Sequence, residues 1–341
     1  MAAFLTWAQW LREAVLPWDN TVVINIDETA MSRLVTGRRG NVTHMAHGSR
    51  AVPYVYERVD TRLTHAHTTV VAAICNDANL QAMLPQIILP RDQALSRVEK
   101  EALGGVAPPL MWLKGSAGWV STRHMKTVLT MLRRSIHTMR PGCHILLVMD
   151  AASQHLATDV VAHAARLHIM ILVLPARLTW LLQPLDTHVF APLKRALVAA
   201  QQATRAEHAE GSLAPAEWVR HLDTAIRQVL VDRAWARALD ANGVLGSTAA
   251  LREEVQAHAS GSLPLPLRPP NREEIDMLLG RQRCGLHEAL LRASMALVAA
   301  RAGGVAPTAA HPLSLPPTHP PSPGTASTEP ALSRPRRVRF L

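Results

Sequence analysis

Three apolar segments of the sequence each lead directly to an aspartate. The β-branched run from Thr21 to Asp27 is typical of a buried strand, and the continuous apolar run from His144 to Asp150 is typical of a central strand covered on both faces. Asp186 stands where a further helix is predicted to begin. Carboxylates at the ends of such elements converge on one rim of a sheet. The pattern therefore predicts an acidic cluster supported by a rigid apolar core.

The apolar residues around these segments predict an α/β fold. Further strands are predicted over 68–75, 86–89 and 169–174. The last of these follows the 144–149 strand through a helical segment, and this order forms a right-handed parallel crossover by default. Ser121 or Thr122 is expected to cap another helix, whereas residues 91–117 are expected to be irregular.

The charge of the chain indicates a polyanionic partner. A net charge of +10 suits nucleic acid, and the cations are mostly arginines, whose planar forks bind phosphate in a bidentate manner. A basic surface without a ligand is the alternative.

Three widely separated cysteines, which lack the spacing of a zinc site or disulfide framework, are typical of a reducing compartment. No apolar stretch approaches the roughly 20 residues of a membrane-spanning helix, so no membrane partner is expected.

The three aspartates have the ligand chemistry of a two-metal phosphoryl-transfer site. Mg²⁺ and Mn²⁺ prefer hard oxygen ligands, and two such ions about 3.5–4 Å apart can stabilise the attacking and leaving oxygens of an in-line displacement. A single aspartate at such a place is more often a cap or a turn former. Carboxylates held together also repel each other until metal binds. We therefore expect that replacing Asp150 with Asn lowers the need for metal in stability and could stabilise the metal-free protein.

The residues around the acids form a set of recognisable motifs. The most specific is Leu174–Asp186, Leu-Pro-Ala-Arg-Leu-Thr-Trp-Leu-Leu-Gln-Pro-Leu-Asp. The other matching stretches are Ile-Asp-Glu-Thr at 26–29, Val70–Asn79, Gly118-Trp119, Leu146–His155, Val189–Lys194 and Trp235–Gly243. Together they resemble the DDE superfamily endonucleases of the pogo, Tigger and Jerky type, relatives of the mariner transposases and of centromere protein B. The resemblance covers residues of about 20–245.

This resemblance implies an α/β fold with an RNase H-like mixed five-stranded sheet flanked by helices. It implies that Asp27, Asp150 and Asp186 are catalytic residues that hold two Mg²⁺ or Mn²⁺ ions. One ion would activate a water or a 3′-hydroxyl, and the other would stabilise the leaving oxygen. The implied activity is the cleavage and joining of DNA strands in the nucleus. A homodimer is left open.

Two departures from the family keep other hypotheses open. The family usually has Asn after its second acid, where this chain has Ala151, and only 26 residues precede Asp27, too few for the family's helix-turn-helix modules. We therefore expect a fragment or a domesticated derivative. The main alternative is a catalytically inactive DNA-binding protein of chromatin. Another is an RNase H-type hydrolase that acts on RNA–DNA hybrids.

Several residues near the acids have two interpretations each. Lys194 and Arg195 follow the third acid by two helical turns and are candidate DNA contacts, with a solvated helix face as the alternative. His155 either contacts the acids or DNA, or has a local packing or capping role. Glu28 is expected to have a structural role or to contact the metal ligands without binding the metal itself. Two aromatic residues are expected in the core rather than in base stacking, namely Trp119 and Trp180.

The composition divides the chain into four predicted regions. These are an N-terminal helical extension over 1–20, the endonuclease domain over 21–245, a linker and helical extension over 246–300, and a disordered tail over 301–341. The tail is rich in proline and ends in a basic run around Arg336, a composition that does not support a packed core.

Overall fold

The computed structural model describes residues 1–15, 20–33, 67–91, 95–114, 120–175, 177–207, 216–260, 265 and 267–279. The predicted tail, the Gly118-Trp119 motif and the part of the helical extension past residue 279 lie outside these ranges. In the described ranges, no helix has both the length and the apolar character needed to cross a membrane.

A six-stranded mixed sheet forms the centre of the fold. Its strands are β1 (Thr21–Ser32), β2 (His67–Cys75), β3 (Gln86–Pro90), β4 (Leu110–Trp112), β5 (His144–Met149) and β6 (Ile169–Val173). They lie in the order β4-β3-β2-β1-β5-β6. β2 is antiparallel to β1 and β3, β5 is parallel to β1 and β6, and β4 is parallel to β3. The five strands other than β4 form the predicted RNase H-like sheet.

Helices flank this sheet. They are α1 (Ala2–Trp10), α2 (Ala78–Gln81), α3 (Arg97–Gly104), α4 (Thr122–Met139), α5 (Thr158–Arg166), α6 (Thr179–Leu182), α7 (Phe190–Glu207), α8 (Glu217–Ile226), α9 (Ala236–Ala241), α10 (Glu253–Ala259) and α11 (Arg272–Leu279). α5 connects β5 with β6, which is the predicted parallel crossover. Ser121 caps α4 as expected, since its hydroxyl accepts the His124 N–H.

The segment 91–117 is more regular than predicted. α3 begins with a capping box, in which the Ser96 hydroxyl accepts the Glu99 N–H and the Glu99 carboxylate accepts the Ser96 N–H. The Ser-x-x-Glu spacing was a usable signal in the sequence. β4 has only three residues and pairs with one neighbour, β3, so it has no length over which a pattern could appear.

The N-terminal helix packs into the same core as the sheet. Phe4, Leu5 and Trp7 of α1 are almost completely buried. Gly243, which follows the C-cap of α9, has a φ of +74°, and a Cβ there would lie 2.5 Å from a methyl of Leu5. Glycine is thus required both by the backbone conformation and by the close approach of α1.

Candidate metal centre

The parallel pairing of β1 with β5 brings the first two acids side by side. Asn25 of β1 is the register partner of Val148 of β5, and Asp27 and Asp150 each follow by two residues. Continued for those two residues, the same register places Asp27 level with Asp150. β5 ends at Met149, so Asp150 begins the loop at the carboxyl end of the strand.

The third acid is fixed to the same two strands by a buried asparagine. Asp186 lies in the π-helical turn Leu185–Val189, which leads into α7. The side-chain oxygen of Asn25 accepts a hydrogen bond from the Leu185 N–H (3.1 Å), and its amide donates to the Val148 carbonyl (3.0 Å). Asn25 is fully buried. Sequence reasoning missed this residue, although a polar side chain between two isoleucines was a signal.

A second buried asparagine holds the other side of this turn. The Asn242 amide donates to the Leu181 carbonyl (3.2 Å) and to the Thr187 hydroxyl (2.9 Å). The Arg252 guanidinium donates to the same Leu181 carbonyl (2.6 Å). The backbone around Asp186 is therefore anchored on two sides, while the Asp186 side chain itself is exposed.

The three carboxylates influence one another electrostatically. Burial and the negative charge of Asp186, with smaller contributions from Glu28 and Asp150, raise the pKa of Asp27 to about 8. Asp186 is exposed, yet partial desolvation by surrounding atoms and the charge of Asp150 raise its pKa, against the opposing charge of Lys194. At neutral pH the metal-free rim therefore favours a proton on Asp27.

A buried histidine joins two acidic side chains at this rim. Nδ1 of His155 lies 2.6 Å from Oδ1 of Asp150, and Nε2 lies 2.8 Å from Oε1 of Glu28. Burial would lower the pKa of His155, but its hydrogen bonds to Asp150 and Glu28 raise it to about 10. Both ring nitrogens can then donate, as only an imidazolium does. Of the interpretations of His155, contact with the acids is the one observed, and Glu28 is its second partner.

Asp150 differs from the other two acids in protonation. Burial would raise its pKa, but the hydrogen bond from His155 and the positive charge of that ring lower the pKa below its ordinary value. His155 and the Ala152 N–H (3.0 Å) both donate to Oδ1, and no residue in the described ranges donates to Oδ2. Asp150 is thus an ionised carboxylate with one oxygen available.

The donor chemistry of the rim fits a divalent cation. The donors are hard carboxylate oxygens, and a cation would replace the proton on Asp27 and relieve the repulsion among the acids. Among the residues that the structure describes, no group of three or more His, Cys, Asp or Glu side chains is arranged to hold a metal ion. The roles of Asp27, Asp150 and Asp186 as metal ligands and catalytic residues therefore stay predictions.

The two candidate DNA contacts lie on the helix that follows the third acid. Lys194 and Arg195 are in α7, and both side chains are exposed. The charge of Lys194 reaches Asp186 and opposes the rise in its pKa. Their exposure agrees with both interpretations of these residues, phosphate contact and a solvated helix face.

The prediction that Trp180 belongs to the core is wrong. Its side chain is 59% exposed, because α6 is a four-residue helix whose buried side is formed by Leu181 and Leu182. The indole N–H donates to the Arg177 carbonyl (3.0 Å), and the ring meets His258 edge-on with 5.9 Å between centroids. Trp180 is therefore an oriented surface aromatic on the segment that leads to Asp186. Trp119 lies outside the described residues.

Comparison with known families and structures identifies one family. A family model described as "DDE superfamily endonuclease" matches residues 67–242, a range that includes Asp150 and Asp186 and begins after β1. No curated protein sequence matches the chain significantly. Asp27 precedes the matched range, and its segment is connected to that of Asp150 by the β1–β5 register and to that of Asp186 by the Asn25–Leu185 hydrogen bond.

Among solved structures, the chain is similar to complexes of the Mos1 transposase. A paired-end complex with the left transposon end is 14% identical, with 72% of this chain and 61% of that chain covered and a TM-score of 0.37. A pre-cleavage Mos1 transpososome is 14% identical, with 71% and 62% covered and a TM-score of 0.37. The chain spans about three fifths of the length of these proteins.

Proposed function

The chain belongs to the DDE superfamily endonucleases, and we propose that it is a transposase-derived enzyme that cleaves DNA and joins DNA strands. In this proposal Asp27, Asp150 and Asp186 hold two Mg²⁺ or Mn²⁺ ions. The observation that carries it is that the β1–β5 register and the hydrogen bonds of Asn25 join the three separate segments that bear the acids. Strongly perturbed carboxylates that gather at the rim of a fold are typical of functional sites.

The three acids would have different parts in the site. Asp150 is ionised without metal and offers its free Oδ2, so we expect it to attract the first cation. Asp27 would release its proton when a cation binds nearby, and Asp186 would bind from the exposed side. The bound ions would supply Lewis-acid stabilisation of the attacking and leaving oxygens during phosphoryl transfer. His155 would hold the Asp150 carboxylate in one orientation throughout.

DNA is the proposed partner because of charge. The chain carries a net charge of +10, and Lys194 and Arg195 lie exposed on the helix that leads away from Asp186. Contacts of this kind with phosphates supply most of the sequence-independent affinity for DNA. The proposal places the activity in the nucleus, where such a substrate is found.

The second candidate is a DNA-binding derivative without catalysis. Ala151 stands where the family usually has Asn, and the described residues contain no group already arranged to hold a metal ion. Such a protein would retain the fold and the basic surface. It would not cleave DNA under any divalent-ion condition.

Nicking of supercoiled plasmid DNA tests the proposal. The full chain is incubated with Mg²⁺ or Mn²⁺, and compared with Asp150→Asn and with a matched control, Asp159→Asn. Asp159 is an exposed aspartate that pairs with Lys126 (2.7 Å), and within the described ranges it has no hydrogen bond or ion pair with Asp27, Asp150 or Asp186. We expect nicking by the parent and by the control, and none by Asp150→Asn, because metal placement sets the in-line geometry.

Two results would favour the other hypotheses. If the parent binds DNA but does not nick it with either ion, the non-catalytic derivative is the better account. If an RNA–DNA hybrid is cut and duplex DNA is not, the chain is an RNase H-type hydrolase. Equal loss of nicking in both variants would show that the effect of Asp150→Asn is not specific to the acid rim.

A further inference from the structure

The side chain of Asn25 touches the backbone next to all three acids, and beside Asp27 its amide donates to the carbonyl of Ile26 (3.4 Å). Asn25 lies two residues before Asp27 in β1. Its amide donates to the carbonyl of Val148, two residues before Asp150, and its oxygen accepts the N–H of Leu185, one residue before Asp186. We propose that Asn25 is a positioning residue that sets the relative placement of the three acids and thereby the affinity of the rim for divalent cations. This inference rests on the proposed function of the acids.

The partners of Asn25 are main-chain groups, which makes the link rigid. Val148 lies within β5 and its carbonyl belongs to the strand that carries Asp150, whereas the Leu185 N–H opens the π-helical turn that carries Asp186. The two hydrogen bonds therefore do not depend on the side-chain rotamers of Val148 and Leu185. A change at Asn25 would thus shift the backbone positions of the acids relative to one another, and not only the orientation of one side chain.

The residue type follows from the two kinds of partner. A carbonyl needs a donor and an N–H needs an acceptor, and the short amide of asparagine supplies both from one side chain. Aspartate at this position would direct a second negative oxygen at the Val148 carbonyl and add another charge beside Asp27. Leucine would have a similar size and would make neither bond. Asn25 is completely buried, so water does not readily replace these bonds.

A buried glutamine at the end of α2, hydrogen-bonded to β2 of the same sheet, is a matched control. Gln81 is also completely buried. Its side-chain oxygen accepts the Cys75 N–H (2.8 Å), and its amide donates to the carbonyls of Ala73 (3.1 Å) and Leu230 (2.7 Å). It bridges main-chain groups as Asn25 does, but none of its partners lies in a segment that carries Asp27, Asp150 or Asp186. Gln81→Met should therefore reproduce the loss of a buried amide without the loss of positioning.

The experiment measures Mn²⁺ binding by calorimetry to the full chain without DNA, at a temperature below the melting point of every variant. The proteins are the parent, Asn25→Leu, Asn25→Ser and Gln81→Met. We expect Asn25→Leu to bind Mn²⁺ at least about tenfold more weakly, the effect usual for groups that orient metal ligands. We expect Gln81→Met to bind within about twofold of the parent, even with a lower melting temperature, because its partners do not carry ligands.

Hydrogen exchange of the Leu185 amide gives an independent readout. The bond to Asn25 should protect this N–H in the parent and in Gln81→Met, and the protection should fall in Asn25→Leu. Asn25→Ser keeps a small hydroxyl that can make one of the two bonds, so its Mn²⁺ affinity should lie between those of the parent and Asn25→Leu. If Asn25→Leu does not fold, Asn25→Ser against Gln81→Met decides the question by the same criterion.

The failure of this inference is distinct from that of the proposed function. If the parent itself binds no Mn²⁺, the metal site is wrong and the role of Asn25 is wrong with it. If the parent binds Mn²⁺ and the folded Asn25 variants bind it as well as the parent does, only the positioning role is wrong. Equal weakening in Gln81→Met would likewise overturn it, since the effect would then be general destabilisation.

Discussion

The acid rim and a second group of buried charges, close to the far end of β1, are built on opposite principles. Arg33, directly after β1, pairs with Glu99 (3.4 Å), with side-chain exposures of 1% and 5%. Trp218 donates its indole N–H to the same carboxylate (2.7 Å), and Arg33 donates to the Thr68 hydroxyl (3.2 Å). One positive and one negative charge are thus buried together. We call these residues the Arg33–Glu99 cluster.

The acid rim has no such balance. Among the residues that the structure describes, the carboxyl groups of Asp27, Glu28, Asp150 and Asp186 are accompanied by one buried cation, His155, which contacts Asp150 and Glu28. A buried cluster whose charges cancel supports the fold, whereas a solvent-accessible excess of negative charge can be neutralised by a bound cation. The comparison separates a charge pair that supports the fold from charges that are candidates for function. Substitutions in either group test it.

The largest expected effect is the loss of the negative partner in the Arg33–Glu99 cluster. Glu99→Gln removes the carboxylate that pairs with the buried Arg33 guanidinium, and breaking a buried pair in this way costs about 3–5 kcal/mol of unfolding free energy. Chemical denaturation of the parent and the variant measures it. Mn²⁺ affinity should be unchanged. A variant as stable as the parent would show that Glu99 does not compensate Arg33.

The next effect has the opposite sign and lies at the acid rim. The folded-state pKa of Asp27 is about 8 and its ordinary value is 3.8, so its contribution to stability is lost as the pH rises from about 4 to about 8. Without metal, Asp27→Asn should be more stable than the parent by on the order of 2–3 kcal/mol at pH 8 and by little at pH 4. Unfolding in EDTA over this range measures the difference, and parallel pH profiles would contradict it.

The structure moves this expectation from Asp150 to Asp27. From the sequence, relief of repulsion was expected on replacing Asp150 with Asn. The hydrogen bond from His155 instead lowers the pKa of Asp150 below its ordinary value, so the charged form of this acid is favoured in the fold. Asp150→Asn would weaken a favourable contact. The sequence alone did not show that the acids differ in pKa. The difference comes from His155, five residues beyond Asp150, and depends on the orientation of its ring toward the Asp150 carboxylate.

Removal of the charged His155 ring should have a smaller effect on the free energy of unfolding. His155→Leu leaves Asp150 and Glu28 without their shared donor, at a cost on the order of 1–2 kcal/mol, since both carboxylates keep some contact with solvent. The folded-state pKa of His155 is raised to about 10. Its contribution is therefore complete below pH 6.5 and is lost as the pH rises through 10. Melting temperatures of parent and variant should converge over that interval, and a constant difference would refute the imidazolium.

The strands were largely predictable, but the contacts between distant segments were not. Asp27, which was predicted to end the first strand, lies inside β1, because pairing with β2 continues to Ser32. β-branched and apolar runs predicted four strands to within one residue of their bounds, since each run reports its own burial, whereas β1 extends five residues past its predicted end. The Arg33–Glu99 pair joins residues 66 positions apart, and the Asn25–Leu185 bond joins residues 160 positions apart. No local pattern encodes such partners. They depend on the order of strands across the sheet, which brings those segments together.

The smallest expected effect concerns DNA. Lys194→Gln should weaken DNA binding modestly and reduce the slope of log affinity against log salt concentration by about 0.9, if this lysine contacts one phosphate. Arg97→Gln is the matched control, because Arg97 is 90% exposed and lies on α3 beside the Arg33–Glu99 cluster. Fluorescence anisotropy at several salt concentrations measures both slopes. An equal change in the two variants would mean that only total charge matters.

The central claim is that the acid rim is an uncompensated cluster that a divalent cation completes. The most direct test is the melting temperature of the full chain in EDTA and in excess Mn²⁺, for the parent and for a variant with Asp27, Asp150 and Asp186 all replaced by Asn. A ligand that binds only the folded state raises the melting temperature. We predict a clear rise for the parent and none for the variant. No rise in the parent, or an equal rise in both proteins, would contradict the account.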